Sequence, residues 1–241
     1  AQSLPDKEFK KRYGKDWKSV KIATATKMAK NEGRYDDEVT TISRMVINYF
    51  KDSLGKKVQN TFEDAGELGG EPYDLEVYLI PSDFETLGPA PFIINAAGDE
   101  DSIVVQIDYQ QEQFPEAYNE LIPELKDAIR HELEHVAQYR FSKDAYPGDV
   151  NQDDLPLFDY LTLDYEIPAF VQGIYKKAKT KKISFTDALE EFLDERIEEL
   201  TPKERKQIKN IYMDYAKKNL PAAQIDEGDT YEKMAAKGKK A

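Results

Sequence analysis

The stretch PELKDAIRHELEHVAQYRF, residues 123–141, holds the only two histidines of a 241-residue chain, and they stand four apart as His131-Glu132-Leu133-Glu134-His135. Two histidines scattered at random over such a length fall at this spacing roughly once in a hundred times, and a glutamate directly after the first is rarer still. On a helix, residues i and i+4 share a face one turn apart, so both imidazoles can converge on one ion with Glu132 beside it. The flanking residues support a helix. Leu125, Ile129, Leu133 and Val136 recur at three- and four-residue spacing and make an apolar stripe, while His131 and His135 occupy another face. Pro123 suits a first helical position, and Tyr146-Pro147-Gly148 reads as a turn after the helix ends.

A catalytic ion of the zinc type needs a third protein ligand and one open position. The chain has no cysteine and no further histidine, so that ligand must be a carboxylate. Gln138 and Phe141 stand where the extended HExxHxxGxxH pattern has its glycine and last histidine, which excludes that pattern. Glu166, in Tyr160-Leu161-Thr162-Leu163-Asp164-Tyr165-Glu166-Ile167-Pro168-Ala169, is the leading candidate. A second helix packed behind the first would bring it to the histidines. Asp153, Asp154, Asp159 and Asp164 compete for the role.

With HExxH followed by a downstream Glu-Ile-x-Ala segment, and a tyrosine six residues before that glutamate, the chain resembles the gluzincin metalloproteases, in particular the small single-domain minigluzincins. The resemblance covers about residues 123–177. It implies a zinc ion held by His131, His135 and Glu166, with Glu132 as general base and Tyr160 as hydrogen-bond donor. Tyr139, Tyr146 and Tyr165 are alternatives to Tyr160. In two places the chain departs from the family pattern. Pro168 falls in the presumed ligand helix, which must therefore start near Glu166 or kink there. Phe170 stands four residues after Glu166, where relatives carry an aspartate that orients a histidine, so the histidines must be oriented by some other residue.

The chemistry implied is hydrolysis of a peptide bond in a peptide or protein substrate by a metal-activated water. Two other readings stand beside it. One is a zincin-derived structural or binding module of a larger assembly, such as a virus particle, with a structural or idle metal site. The other is an enzyme that cleaves a non-peptide amide with the same ion and base.

Ahead of the motif, residues 36–54 read as a helix with Val39, Ile42, Val46 and Tyr49 on one side, and residues 66–70 interrupt the pattern with glycines. Leu75, Val77 and Leu79 alternate with Glu76, Tyr78 and Ile80 in a strand ended by Pro81. Residues 91–96 and 102–109 read as a strand pair, and the second is expected to border the cleft as the edge that holds an extended substrate. Beyond the ligand segment, helices are expected from Ser184, with Leu189, Phe192 and Ile197 recurring, and from Thr201-Pro202, where Thr suits the N-cap and Pro the first helical position.

The expected fold class is α+β, with a small mixed sheet and the HExxH helix in a zincin-like lobe followed by a mainly helical C-terminal lobe closing one side of the cleft. The expected organisation is a basic N-terminal arm over residues 1–35, a zincin-like metalloprotease domain over 36–180, the helical lobe over 181–225 and a mobile tail over 226–241. A net charge of −13 disfavours nucleic-acid binding, although Lys10, Lys11, Arg12, Lys15, Lys18, Lys21, Lys27 and Lys30 make the arm basic. The arm reads as a solvated face or a partner of the acidic body, and alternatively as a docking element for an acidic assembly partner or a nucleic acid. No run approaches the roughly twenty apolar residues of a membrane span, and the absence of cysteine leaves the compartment undecided.

Overall fold

The computed structural model describes residues 35–68, 71–141 and 155–220. The basic arm, the tail, Tyr146, Asp153 and Asp154 lie outside the described residues. Four strands in the N-terminal half and mainly helices in the C-terminal half make a mixed α+β architecture. The chain divides into two compact units, the larger spanning Asp37–Lys181 and the smaller including residues 182–220.

The larger unit begins with helix α1 (Asp36–Ser53), which buries Val39, Ile42, Val46 and Phe50. Phe50, four residues past Val46, takes the core position that the pattern assigns to Tyr49, whose ring meets Phe62 at the partly covered margin. Strands β1 (Val58–Leu68) and β2 (Glu71–Pro81) follow, then the short helix α2 (Phe84–Leu87) and strands β3 (Phe92–Gly98) and β4 (Ser102–Tyr109). The sheet order is β1-β2-β4-β3, with β2 and β4 parallel and the outer pairs antiparallel. In the parallel pair Leu75, Val77 and Leu79 stand opposite Ile103, Val105 and Ile107, and all six are fully buried. Each such side chain contributes about 1.5–3 kcal/mol of transfer free energy, which makes this face the core.

The topology corrects one expectation and adds one strand. Residues 102–109 are an interior strand, not the cleft edge, because β4 pairs with β2 on one side and β3 on the other. The edge beside the HExxH helix is β3. Its Ile93, Asn95 and Ala97 are exposed and its Ile94, Ala96 and Gly98 partly covered. The other edge, β1, has no counterpart in the sequence reading. Its VQNTFEDAGEL is too polar to look like a strand, and it forms through backbone pairing to β2, with a bulge between Phe62 and Gly66.

Helix α3 (Tyr118–Phe141) carries the motif and packs on β3 and β4. It starts five residues before Pro123, which lies inside it rather than at its first position. Leu121, fully buried, extends the stripe of Leu125 and Ile129 by one turn and accounts for the early start. The short helix α4 (Leu157–Leu161) leads into α5 (Glu166–Lys181), whose first residue is Glu166. Pro168 therefore sits in the first turn, where it breaks no backbone bond. Helices α3 and α5 lie unusually close. A Cβ added to Gly173 would fall 3.0 Å from the Asp127 backbone oxygen. Buried Lys177 bridges the same pair of helices through a 2.8 Å ion pair with Glu124.

At the far end of α3, Arg140 ties the helix to the sheet. Its guanidinium donates to the backbone carbonyls of Leu68, Glu71, Pro72 and Glu100 at 2.6–3.0 Å. One planar fork thus joins the β1–β2 connection and the β3–β4 turn to the HExxH helix.

In the smaller unit, Ser184 caps α6 (Phe185–Asp194) and Thr201 opens α7 (Pro202–Asn219) with a reciprocal capping box to Glu204. Phe192 and Tyr212 pack together, and Glu190–Lys209 and Asp194–Arg205 ion pairs link the two helices. Ile197, read as part of the apolar stripe, is exposed because α6 ends at Asp194. Among the described residues, no helix is long and apolar enough to cross a membrane.

Arg140→Lys is expected to lower the stability of the chain by about 2 kcal/mol in urea unfolding, nearly as much as Arg140→Ala. A lysine ammonium lacks the fork that serves four carbonyls at once. A loss of less than half the alanine value would show that charge alone, and not the fork, makes the contact.

Candidate metal centre

Helical spacing places His131 and His135 one turn apart on α3, with their Nε2 atoms 3.0 Å from each other. Glu166, at the start of α5, brings one carboxylate oxygen to 3.3 Å from both nitrogens. Glu166 is 1 % exposed and the two histidines are buried. Three donor atoms bound to one tetrahedral ion at about 2.0–2.1 Å stand about 3.3 Å apart. The observed triangle matches that face. Two imidazole nitrogens this close also repel unless a positive charge, a proton or a cation, lies between them. The donor set of two nitrogens and one oxygen fits a divalent ion.

Of the competing carboxylates, Asp159 and Asp164 are exposed. Glu132 joins the group from the face of α3 that meets the sheet, its carboxylate and the two imidazole nitrogens lying within 4.8 Å of one another. Edge strand β3 holds it there. The Gly98 backbone N–H donates to the Glu132 carboxylate, and a Cβ at Gly98 would stand only 3.0 Å from the Glu132 carbonyl oxygen and 3.2 Å from its Cβ. Any larger residue would press on this contact, which glycine leaves open. Gly98 looks in sequence like part of a turn, and no local signal ties it to Glu132.

Tyr160 belongs to α4, and its hydroxyl donates to the Glu166 carboxylate. Tyr165 lies with its ring 6.3 Å from that of His135. Phe170 packs edge-on against His131, at 4.5 Å between ring centres. An apolar ring therefore covers His131 at the position four residues after Glu166. His135 is oriented instead by Gln138, whose side-chain oxygen lies 3.0 Å from His135 Nδ1.

Electrostatics follow from this burial. Desolvation alone would raise the Glu166 carboxyl, but hydrogen bonds and charge from both imidazoles hold it down at about 2. Desolvation would lower His135, but its contacts with the Glu166 and Glu132 carboxylates leave it raised above its ordinary value. Glu132 is raised, chiefly by burial, with the histidines and the Gly98 N–H opposing. Tyr160 is raised by burial and by the carboxylates of Glu166 and Glu132, so it remains a hydroxyl donor at neutral pH.

Comparison with family models, curated proteins and solved structures finds no match to this chain.

The shifts set the pH response of the metal-free protein. His135 binds its proton more tightly folded than unfolded, so its contribution is complete below about pH 6.5 and is lost as pH rises through the folded value. Glu166 acts oppositely, contributing above about pH 4.5 and losing that contribution as pH falls toward 2. Thermal unfolding in chelator is expected to show stability declining from pH 6 to 8.5. With a bound divalent ion the trend should reverse, since the ion displaces the His135 proton. Parallel profiles with and without metal would contradict the convergence of these groups on one site.

Proposed function

We propose that this chain is a zinc-dependent metallopeptidase of the gluzincin kind, with His131, His135 and Glu166 as ligands and Glu132 as general base. The observation that carries the reading is the 3.0–3.3 Å triangle of donor atoms with a buried carboxylate beside it. The zincin-like fold is part of the proposal. It is supported by a mixed sheet that lays an antiparallel edge strand along the HExxH helix, with the third candidate ligand arriving from the next long helix.

Zinc bound here would supply a water of lowered pKa and polarise a scissile carbonyl. Glu132, its affinity for a proton raised by burial, is the residue that would accept a proton from such a water and return it to a leaving nitrogen. Gly98 keeps the carboxylate aimed while it does so. Tyr160 holds its single hydroxyl proton at the Glu166 side of the site, and turning it away from that carboxylate would present it to an oxyanion. The exposed edge of β3 offers backbone groups to an extended peptide, in place of the interior β4.

Glu132→Gln is expected to lower turnover of a peptide library by about 10²–10⁴-fold while zinc content stays near one per chain. Tyr160→Phe should reduce kcat by about 10²-fold with KM little changed. Glu166→Ala should remove both zinc and turnover. Zinc binding without any turnover, joined to tight assembly with a partner that Glu132→Gln leaves unchanged, would favour the binding-module reading instead.

A further inference from the structure

The side chain of Gln138 joins one proposed ligand to the residue directly before another through a relay with a defined direction. Its Nε2 donates to the backbone carbonyl of Tyr165 at 2.8 Å, and its Oε1 lies 3.0 Å from His135 Nδ1. A carbonyl can only accept, so the amide nitrogen must face Tyr165 and the amide oxygen must face His135. His135 then has to donate from Nδ1. In the neutral ring this leaves the Nε2 lone pair directed at His131 Nε2 and the Glu166 carboxylate, 3.0 and 3.3 Å away.

The relay also spans the two helices. Gln138 is one turn beyond His135 on α3, and Tyr165 is the residue directly before Glu166, the first residue of α5. One buried amide therefore sets the tautomer of a ligand on one helix and the position of the residue next to a ligand on the other. It does so without adding charge, unlike a carboxylate in that place. A carboxylate would accept from His135 equally well, but its second oxygen would face the Tyr165 carbonyl with no proton to share.

We propose that Gln138 is a positioning residue for the metal centre, fixing the His135 tautomer and holding the start of α5 against α3. This rests on the zinc reading above. The test compares native chain, Gln138→Leu and Gln138→Glu, each folded by circular dichroism in chelator, for zinc affinity by competition with a chromophoric chelator. Proton NMR of the zinc-loaded chains reads the His135 ring N–H. Gln138→Leu should weaken zinc by about 10–100-fold and move or broaden the His135 Nδ1–H resonance through exchange. Gln138→Glu, which keeps an acceptor for that proton, should retain the resonance and recover part of the affinity.

Zinc binding within twofold of native in Gln138→Leu, or an unchanged ring N–H resonance, would overturn the role while leaving the metal centre intact. A native chain that takes up no zinc would overturn the metal reading itself and this role with it. Should Gln138→Leu fail to fold, Gln138→Glu decides. Loss of the His135 resonance in that variant contradicts the relay, and its retention with weakened zinc supports it.

Discussion

Three electron-rich atoms buried within 3.3 Å of one another require a positive charge among them, and the packing of α3 on α5 is arranged around that requirement. Imidazole nitrogens and a carboxylate oxygen at this separation are costly to bury unless a proton or a cation binds them together. The helices come close enough to meet the requirement because Gly173 has no side chain to hold them apart, and Lys177 reaches Glu124 across the same seam. These contacts fix the register of the helices. Register in turn decides whether Glu166 arrives at the histidines or one turn away from them.

The sheet contributes through its edges. Parallel β2 and β4 form the apolar floor, which leaves β3 to run beside the motif helix with one side uncovered. The last residue of β3, Gly98, touches Glu132, so the strand end and this carboxylate are set by one contact. Arg140 performs a similar service at the opposite end of α3, where backbone carbonyls from two separate connections converge on a single guanidinium. The motif helix is thus tied to the sheet at both its middle and its end.

Much of this was legible in the residues themselves. His131, Glu132 and His135 announce their geometry because a helix converts a spacing of four into a shared face, and the lack of any other histidine or cysteine points to a carboxylate as third candidate ligand, with Glu166 ahead of Asp153, Asp154, Asp159 and Asp164. The alternation in β2 and β4 and the Thr201-Pro202 helix start are local patterns that read directly. What escaped was long-range. β1 is polar and acquires its conformation from pairing with β2. Strand order depends on which edges meet, and a period-two pattern carries no such information, so it does not separate interior β4 from edge β3. Gln138 looked like a departure from another motif, because its value lies in a backbone carbonyl 27 residues away. Phe170 marked where a polar partner was missing without indicating what replaced it.

Coordination of one ion by His131, His135 and Glu166 is the property on which the proposed chemistry depends most directly. X-ray absorption at the zinc edge, on native chain loaded with one equivalent of zinc, measures that coordination without reference to turnover. The predicted result is a four-coordinate ion with two imidazole nitrogens and two further light ligands at about 2.0–2.1 Å. The imidazole signal should fall to baseline in a His131→Ala/His135→Ala chain. A spectrum of six oxygen ligands with no imidazole contribution, or no retained zinc, would contradict it.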